Sequence, residues 1–151
     1  MIEETLYYES NKLSCDDFAV KYGFEDVDGN EYLVLFKNDT RGPNGSQLGS
    51  SYELTYFVWD EEVGEWSINK IVNSNIFRLT RTVFGEILYA FLKSKPWVKM
   101  VRIEGLRKDG EGEYDITKRT RLYSRYLKRN PVEGYDMQIS GNKIALTKKI
   151  E

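Results

Sequence analysis

The chain reads as an α+β domain in the order β-β-β-β-α-β-α-β-β, one mostly antiparallel sheet with two helices packed on it. Three observations predict this. Four extended stretches fall within residues 18–71, separated by turn-forming segments. Two stretches, 76–91 and 115–130, carry apolar residues at the 3.6-residue repeat of a helix. Extended segments then return between and after those helices, at 98–103, 135–140 and 143–149.

Residues 1–17 have no period and read as an N-terminal arm, in which Tyr7 and Tyr8 could pack. Phe18, Val20, Tyr22 and Phe24 then alternate with Ala19, Lys21, Gly23 and Glu25, the pattern of a half-buried strand. Asp28-Gly29-Asn30 supplies turn residues that tolerate positive φ. Glu31 to Phe36 is apolar on both faces and should be a central strand. Residues 38–51, with three glycines and a proline, are expected to form a mobile loop. Tyr52 to Trp59 gives a third strand, Glu61-Glu62-Val63-Gly64 a turn, and Glu65 to Ile71 a fourth strand.

Asn73 or Ser74 can cap the first helix, because either side chain can accept an orphan backbone N–H. Its core stripe is Ile76, Leu79, Val83, Ile87 and Phe91, widened by Phe84 and Leu88. Gly85 sits inside it at a cost of about 1 kcal/mol against alanine, which a close approach to a strand would explain. The helix should stop before Pro96. A strand over 98–103 and a charged, mobile loop over 105–114 lead to the second helix, 115–130, which ends near Asn130-Pro131. Tyr135, Met137 and Ile139 then alternate inward against Asp136, Gln138 and Ser140, and Gly141-Asn142 turns the chain into a last strand.

The length of 151 residues fits a single domain, 1–151, and 40% apolar residues suffice for a core. No apolar run approaches the ~18–20 residues of a membrane span. The opening Met-Ile-Glu-Glu-Thr lacks a signal peptide's basic and apolar regions, and the one cysteine, Cys15, forms no internal disulfide, so a cytoplasmic protein is expected. The net charge of −2 conceals a division: residues 1–62 hold 14 acids and 4 bases, residues 63–151 hold 10 acids and 18 bases. Either the two halves neutralise each other within the fold, or the second meets an anionic partner.

There is no histidine in the chain. Ser-His-Asp and Cys-His catalysis and His-based metalloprotease chemistry are therefore excluded, and one cysteine cannot make a zinc site. No Walker lysine loop and no Gly-x-Gly-x-x-Gly opens a helix. Asp26-Val27-Asp28-Gly29-Asn30 has part of a calcium loop's spacing, but its glycine comes two positions early and Lys37 stands where the twelfth-position glutamate belongs, so it reads as a hairpin turn. Asp60-Glu61-Glu62 reads as a solvated turn or a magnesium ligand set. The glycine-rich Arg41–Ser46 segment reads as a connector or a phosphate cradle. Cys15 lies beside Asp16 and Asp17, whose charge disfavours a reactive thiolate.

The helix over 115–130 is the most informative stretch. Ile116, Thr120, Tyr123 and Leu127 form one face; Lys118, Arg121, Arg125, Lys128 and Arg129 form another. Like charges at 121/125 and 125/129 repel, where acids and bases normally alternate. The face is either solvated, neutralised by the acidic first half, or met by an anionic macromolecule, a host protein or a nucleic acid. Arg78 and Arg81 could extend it.

Two resemblances bear on this. From the first helix onward the chain resembles the second half of N-acetyltransferases of the GNAT type: helix, strand, helix, strand, strand, with Arg121-Leu122-Tyr123 in the last helix and Gly134-Tyr135 opening the next strand. The resemblance implies acetyl-CoA as cofactor and Tyr123 as the candidate general acid. The family's Gln/Arg-x-x-Gly-x-Gly/Ala loop is not present; Asn73-Ser74-Asn75-Ile76-Phe77-Arg78 occupies its place. The chain is also similar, over about residues 50–150, to small uncharacterised proteins of bacteriophages and bacteria. They share a helix with Phe-x-x-Thr-x-x-Val-Phe-x-x-Ile (Phe77 to Ile87) and one with Arg-Thr-x-Leu-Tyr (Arg119 to Tyr123). That resemblance implies a phage or mobile-element origin. The expected function is a non-catalytic, phage-type accessory protein acting by binding, with no cofactor. The alternatives are the acyltransferase and a structural component of a virion or complex that pairs through aromatics of 52–59.

Overall fold

The computed structural model describes residues 8–15, 18–38, 50–67, 76–104, 118–141 and 143–149. β1 (Ser10–Cys15), β2 (Ala19–Glu25), β3 (Glu31–Asn38) and β4 (Ser51–Asp60) make an antiparallel meander, and β5 (Glu65–Ser67) folds back on the end of β4. α1 (Ile76–Thr80), a π-helical stretch (Arg81–Ile87) and α2 (Leu88–Ser94) follow end to end as one long helix. β6 (Met100–Glu104), α3 (Lys118–Arg129), β7 (Tyr135–Ser140) and β8 (Lys143–Lys148) complete the order. The sheet runs β1-β2-β3-β4-β6-β8-β7, and β4 with β6 is its parallel pair. Parallel neighbours need a long crossover, and the long helix supplies it.

The α+β class is as expected, with one strand more. β1 lies within the stretch read as an arm. It is an edge strand whose residues Asn11 to Ser14 are all exposed, so no buried alternation marks it, and a bulge between Lys12 and Ser14 shifts its register against β2. Phe18, expected inward, is 50% exposed and precedes β2. The loop read over 38–51 is shorter at both ends, because Asn38 closes β3 and Ser51 opens β4. The expected 105–114 loop, the end of the fourth strand, the Asn73/Ser74 cap, the Arg41–Ser46 segment and Ile116 lie outside the described residues.

Both helices pack on one face of the sheet. That face carries Val20, Tyr22 and Phe24 of β2, Tyr32, Val34 and Phe36 of β3, Tyr52, Leu54 and Val58 of β4, Val101 and Ile103 of β6, and Ile144 and Leu146 of β8, all buried. Phe91 of α2 stacks on Phe36 with centroids 3.9 Å apart and meets Tyr52 edge-on at 5.1 Å. Aromatic rings bury the most area per residue, so these contacts anchor the long helix over β3 and β4. The helix buries Leu79, Val83, Phe84, Ile87, Leu88 and Phe91, as its spacing predicts, together with Thr80 and Thr82. The Thr82 hydroxyl donates to the Arg78 carbonyl (2.8 Å) and accepts the Tyr8 N–H (2.7 Å), which ties the segment before β1 to the helix.

Gly85 is explained by a neighbouring helix and not by a strand. A Cβ on it would lie 2.5 Å from the hydroxyl oxygen of Tyr126 on α3. Burial pushes the Tyr126 phenol up, while the adjacent Arg81 charge draws it back and Glu86 adds to the rise. Alanine for glycine in a free helix gains about 1 kcal/mol. Here Gly85→Ala is expected to lower stability in urea titration, because Tyr126 must move. In a Tyr126→Phe background, where the nearest remaining contacts are 3.6 Å away, the same change is expected to stabilise instead.

Candidate functional site: the outward face of α3

α3 is held by its inner face. Thr120, Tyr123 and Leu127 are buried as expected, and Ser124 with them. The Tyr123 ring rests against Phe84 of the π-helical stretch at 4.7 Å, and its hydroxyl pairs with that of Tyr56 on β4 at 2.6 Å. The Ser124 hydroxyl donates to the Arg121 carbonyl, so its polarity is satisfied inside the helix. The helix closes where the Asn130 side chain and N–H both donate to the Tyr126 carbonyl.

The outer face holds the cations. Arg121, Arg125, Lys128 and Arg129 are all exposed. At about 100° and 1.5 Å per residue they span roughly 100° of the helix circumference and about 12 Å of its length. Among the described residues none of the four forms an ion pair with a carboxylate of the chain. In the sheet order β1 to β4 take one side and β6, β8 and β7 the other; the halves meet where β4 pairs with β6, and α3 lies over that seam, against Tyr56 of β4 and against β8. Lys118 opens α3, with its side chain outside the described residues.

The two helix-start arginines go different ways. Arg81 is half-buried beside Tyr126, next to α3. Arg78 places its guanidinium 4.2 Å from the centroid of the Tyr8 ring, a cation–π contact on the N-terminal side of the fold. It therefore belongs to a second feature, an open groove of about 970 Å³ at the ends of β2 and β3. Tyr8, Glu9, Glu25, Asp26, Glu31 and Arg78 line it, as do Leu13 and Trp66. A smaller cavity of about 240 Å³ lies among Glu53, Arg102, Gln138 and Lys143.

The carboxylate clusters serve the turns. Asp26 is buried at 6% exposure and accepts four hydrogen bonds, from the Asp28 N–H, the Asn30 N–H, the Asn30 amide and the Tyr32 hydroxyl, each 2.9 Å. Gly29 takes φ +86° at the corner, so this is the hairpin turn that the sequence suggests. Asp60 accepts the Glu62 N–H in the turn to β5, where Gly64 takes φ +69°. Among the described residues no three His, Cys, Asp or Glu side chains converge on a point that could hold a metal ion. No helix of those residues is long and apolar enough to cross a membrane.

Burial raises the Asp26 carboxyl pKa, but the hydrogen bonds from Asn30, Tyr32 and Asp28 outweigh it and leave the group below the ordinary carboxylate value. A depressed folded-state pKa contributes stability that is complete above the unfolded value of ~3.9 and disappears as pH falls through the folded one. Asp26→Ala is expected to cost about 2–3 kcal/mol at neutral pH. The loss should shrink in denaturant titrations run progressively below about pH 4.

Comparison with known proteins gave no match: no family model, no curated protein and no solved structure matches this chain.

Proposed function

We propose that this chain works by binding, as a small accessory protein of the phage type, and that the outward face of α3 takes an anionic macromolecule, either a host protein or a nucleic acid. The observation that supports this is the arrangement of α3. Its inner face is consumed by packing, while Arg121, Arg125, Lys128 and Arg129 stand exposed together without a carboxylate partner among the described residues. Like charges one turn apart cost a few tenths of a kcal/mol each in an isolated helix. A polyanion converts that cost into affinity by releasing its own counterions. Arg81 borders the face and adds to its field; Arg78, engaged with Tyr8, is outside it.

The test uses the double variant Arg121→Glu/Arg125→Glu against labelled duplex DNA, single-stranded RNA and an acidic peptide. Both side chains are exposed, so folding should stay within about 1 kcal/mol of the parent. Binding of the preferred probe should be lost, and parental affinity should fall linearly with salt on logarithmic axes. Unchanged binding would remove α3 as the contact face. An unfolded double variant would make those arginines structural.

A second reading, the acyltransferase using acetyl-CoA, is favoured by one observation. β4 and β6 pair in parallel over Ser51–Leu54 and Met100–Ile103, and β4 then runs on to Asp60. Parallel strands of open α/β sheets take ligands in the crevice beyond their carboxyl ends. Tyr123 sits near that end, yet it is only 3% exposed, its hydroxyl is engaged by Tyr56, and it lines neither cavity described above. Acetyl-CoA at a hundred times its dissociation constant is expected to add about 2.7 kcal/mol if this reading holds, read as a rise in Tm. No rise would remove it.

A further inference from the structure

The helices cover one face of the sheet, and among the described residues no element lies over the other. That second face is not uniformly polar. Paired positions place Gly23, Leu33 and Phe57 in one row across β2, β3 and β4. Leu13, thrown out by the bulge in β1, extends the row: its side chain lies over Gly23, 2.8 Å from where a Cβ would stand, and it is 59% exposed. Two residues further along β4, Trp59 meets Trp66 of β5 edge-on at 5.3 Å, and Trp66 is 39% exposed. On ordinary monomer surfaces large apolar side chains are scattered singly, whereas here they are contiguous across four strands.

The charges around the row identify what fits it. On one side, two residues along the strands, stand Glu25 and Glu31, which face each other across β2 and β3. At the same distance on the other side of the row stands Lys21 of β2, beside Leu35 of β3; Lys37 lies beyond Leu35, with Glu53 of β4 as its direct cross-strand partner. Glu53 and Arg102, further out, are direct cross-strand partners of opposite sign. The row is thus bordered by two acids, Glu25 and Glu31, on one flank and by Lys21 on the other. A two-fold axis laid along such a row exchanges the flanks. It sets Leu33 against Leu33 and Phe57 against Phe57, brings Glu25 of each copy over Lys21 of the other, and lays Glu31 over Leu35. The sheets then meet face to face with near-antiparallel strands, the aligned packing of a sandwich with its interior about 10 Å thick.

We propose that two copies of this chain associate through this second sheet face, about a two-fold axis running along the Leu13–Leu33–Phe57 row. The symmetry makes the contact isologous and closed, so association stops at the dimer. The basic face of α3, on the opposite side of the sheet, is displayed twice by such a dimer, once on each outer surface.

Sedimentation velocity over a range of concentrations at low salt tests it. The parent mass is expected to rise from 17.7 kDa toward twice that value. Leu33→Glu and Leu13→Glu should each remain monomeric; Leu13 is exposed enough that its variant folds even where Leu33→Glu fails to. Lys21→Glu and Glu25→Lys should each weaken association, and the two together in one chain should restore it, because the crossed pair is re-formed with its signs exchanged. A parent that stays monomeric at every concentration overturns the proposal. So does a dimer that survives Leu13→Glu, which would place the contact at a sheet edge, or a charge-swapped double variant that fails to recover.

Discussion

The contact on which this molecule depends is the seat of Tyr123. It lies between Phe84 of the long helix and Tyr56 of β4, with its hydroxyl 2.6 Å from that of Tyr56. Three elements distant in sequence meet there. The helix that carries Tyr123 has little else to fix its rotation beyond Thr120, Ser124 and Leu127 on the same side. Once that side is down, the arginines half a turn away must point outward, and their exposure follows from packing. Gly85 is part of the same fit: without a side chain it lets Tyr126 approach the long helix closely enough for α3 to settle.

The sheet is one-sided for a related reason. Each strand from β2 to β4 offers one complete row of large apolar residues, and both helices are spent on that side. The residues between are smaller or charged, save for the half-buried Leu33, Leu35 and Phe57 and the tryptophan pair beside them. A sheet with one helical face and one bare face is common in antiparallel folds. A second face with a contiguous apolar row, two acids along one flank and a lysine on the other is less so.

Much of the architecture was legible in the sequence because burial on one side writes itself as a period. The alternation of Val20, Tyr22 and Phe24, the stripe of Leu79, Val83, Ile87 and Phe91, and the two faces of α3 each appear where the spacing puts them. What could not be read has physical causes. β1 lies at the sheet edge with Asn11 to Ser14 exposed, so it has no buried alternation and reads as an arm. The π winding of Arg81–Ile87 has no compositional mark; its trace is in the backbone, where the Leu88 N–H bonds the Val83 carbonyl five residues back. Arg78 and Arg81 are three residues apart and look like one patch. They are separated only by whom each meets, Tyr8 for one and Tyr126 for the other. For the candidate site, spacing told which face of α3 is cationic. It could not tell whether the acidic first half lay against it, because that is a question of strand order.

An alanine scan along α3, read as stability in urea from Thr120 to Arg129, bears most directly on all of this. Substitution at Tyr123 and Leu127 should cost several kcal/mol, about 2–5 at Leu127. Arg121, Arg125, Lys128 and Arg129 should each stay within about 0.5 kcal/mol of the parent. A profile in which the arginines cost as much as Tyr123 and Leu127 would mean that the cations are bound inside the fold, and that α3 presents no free charged face.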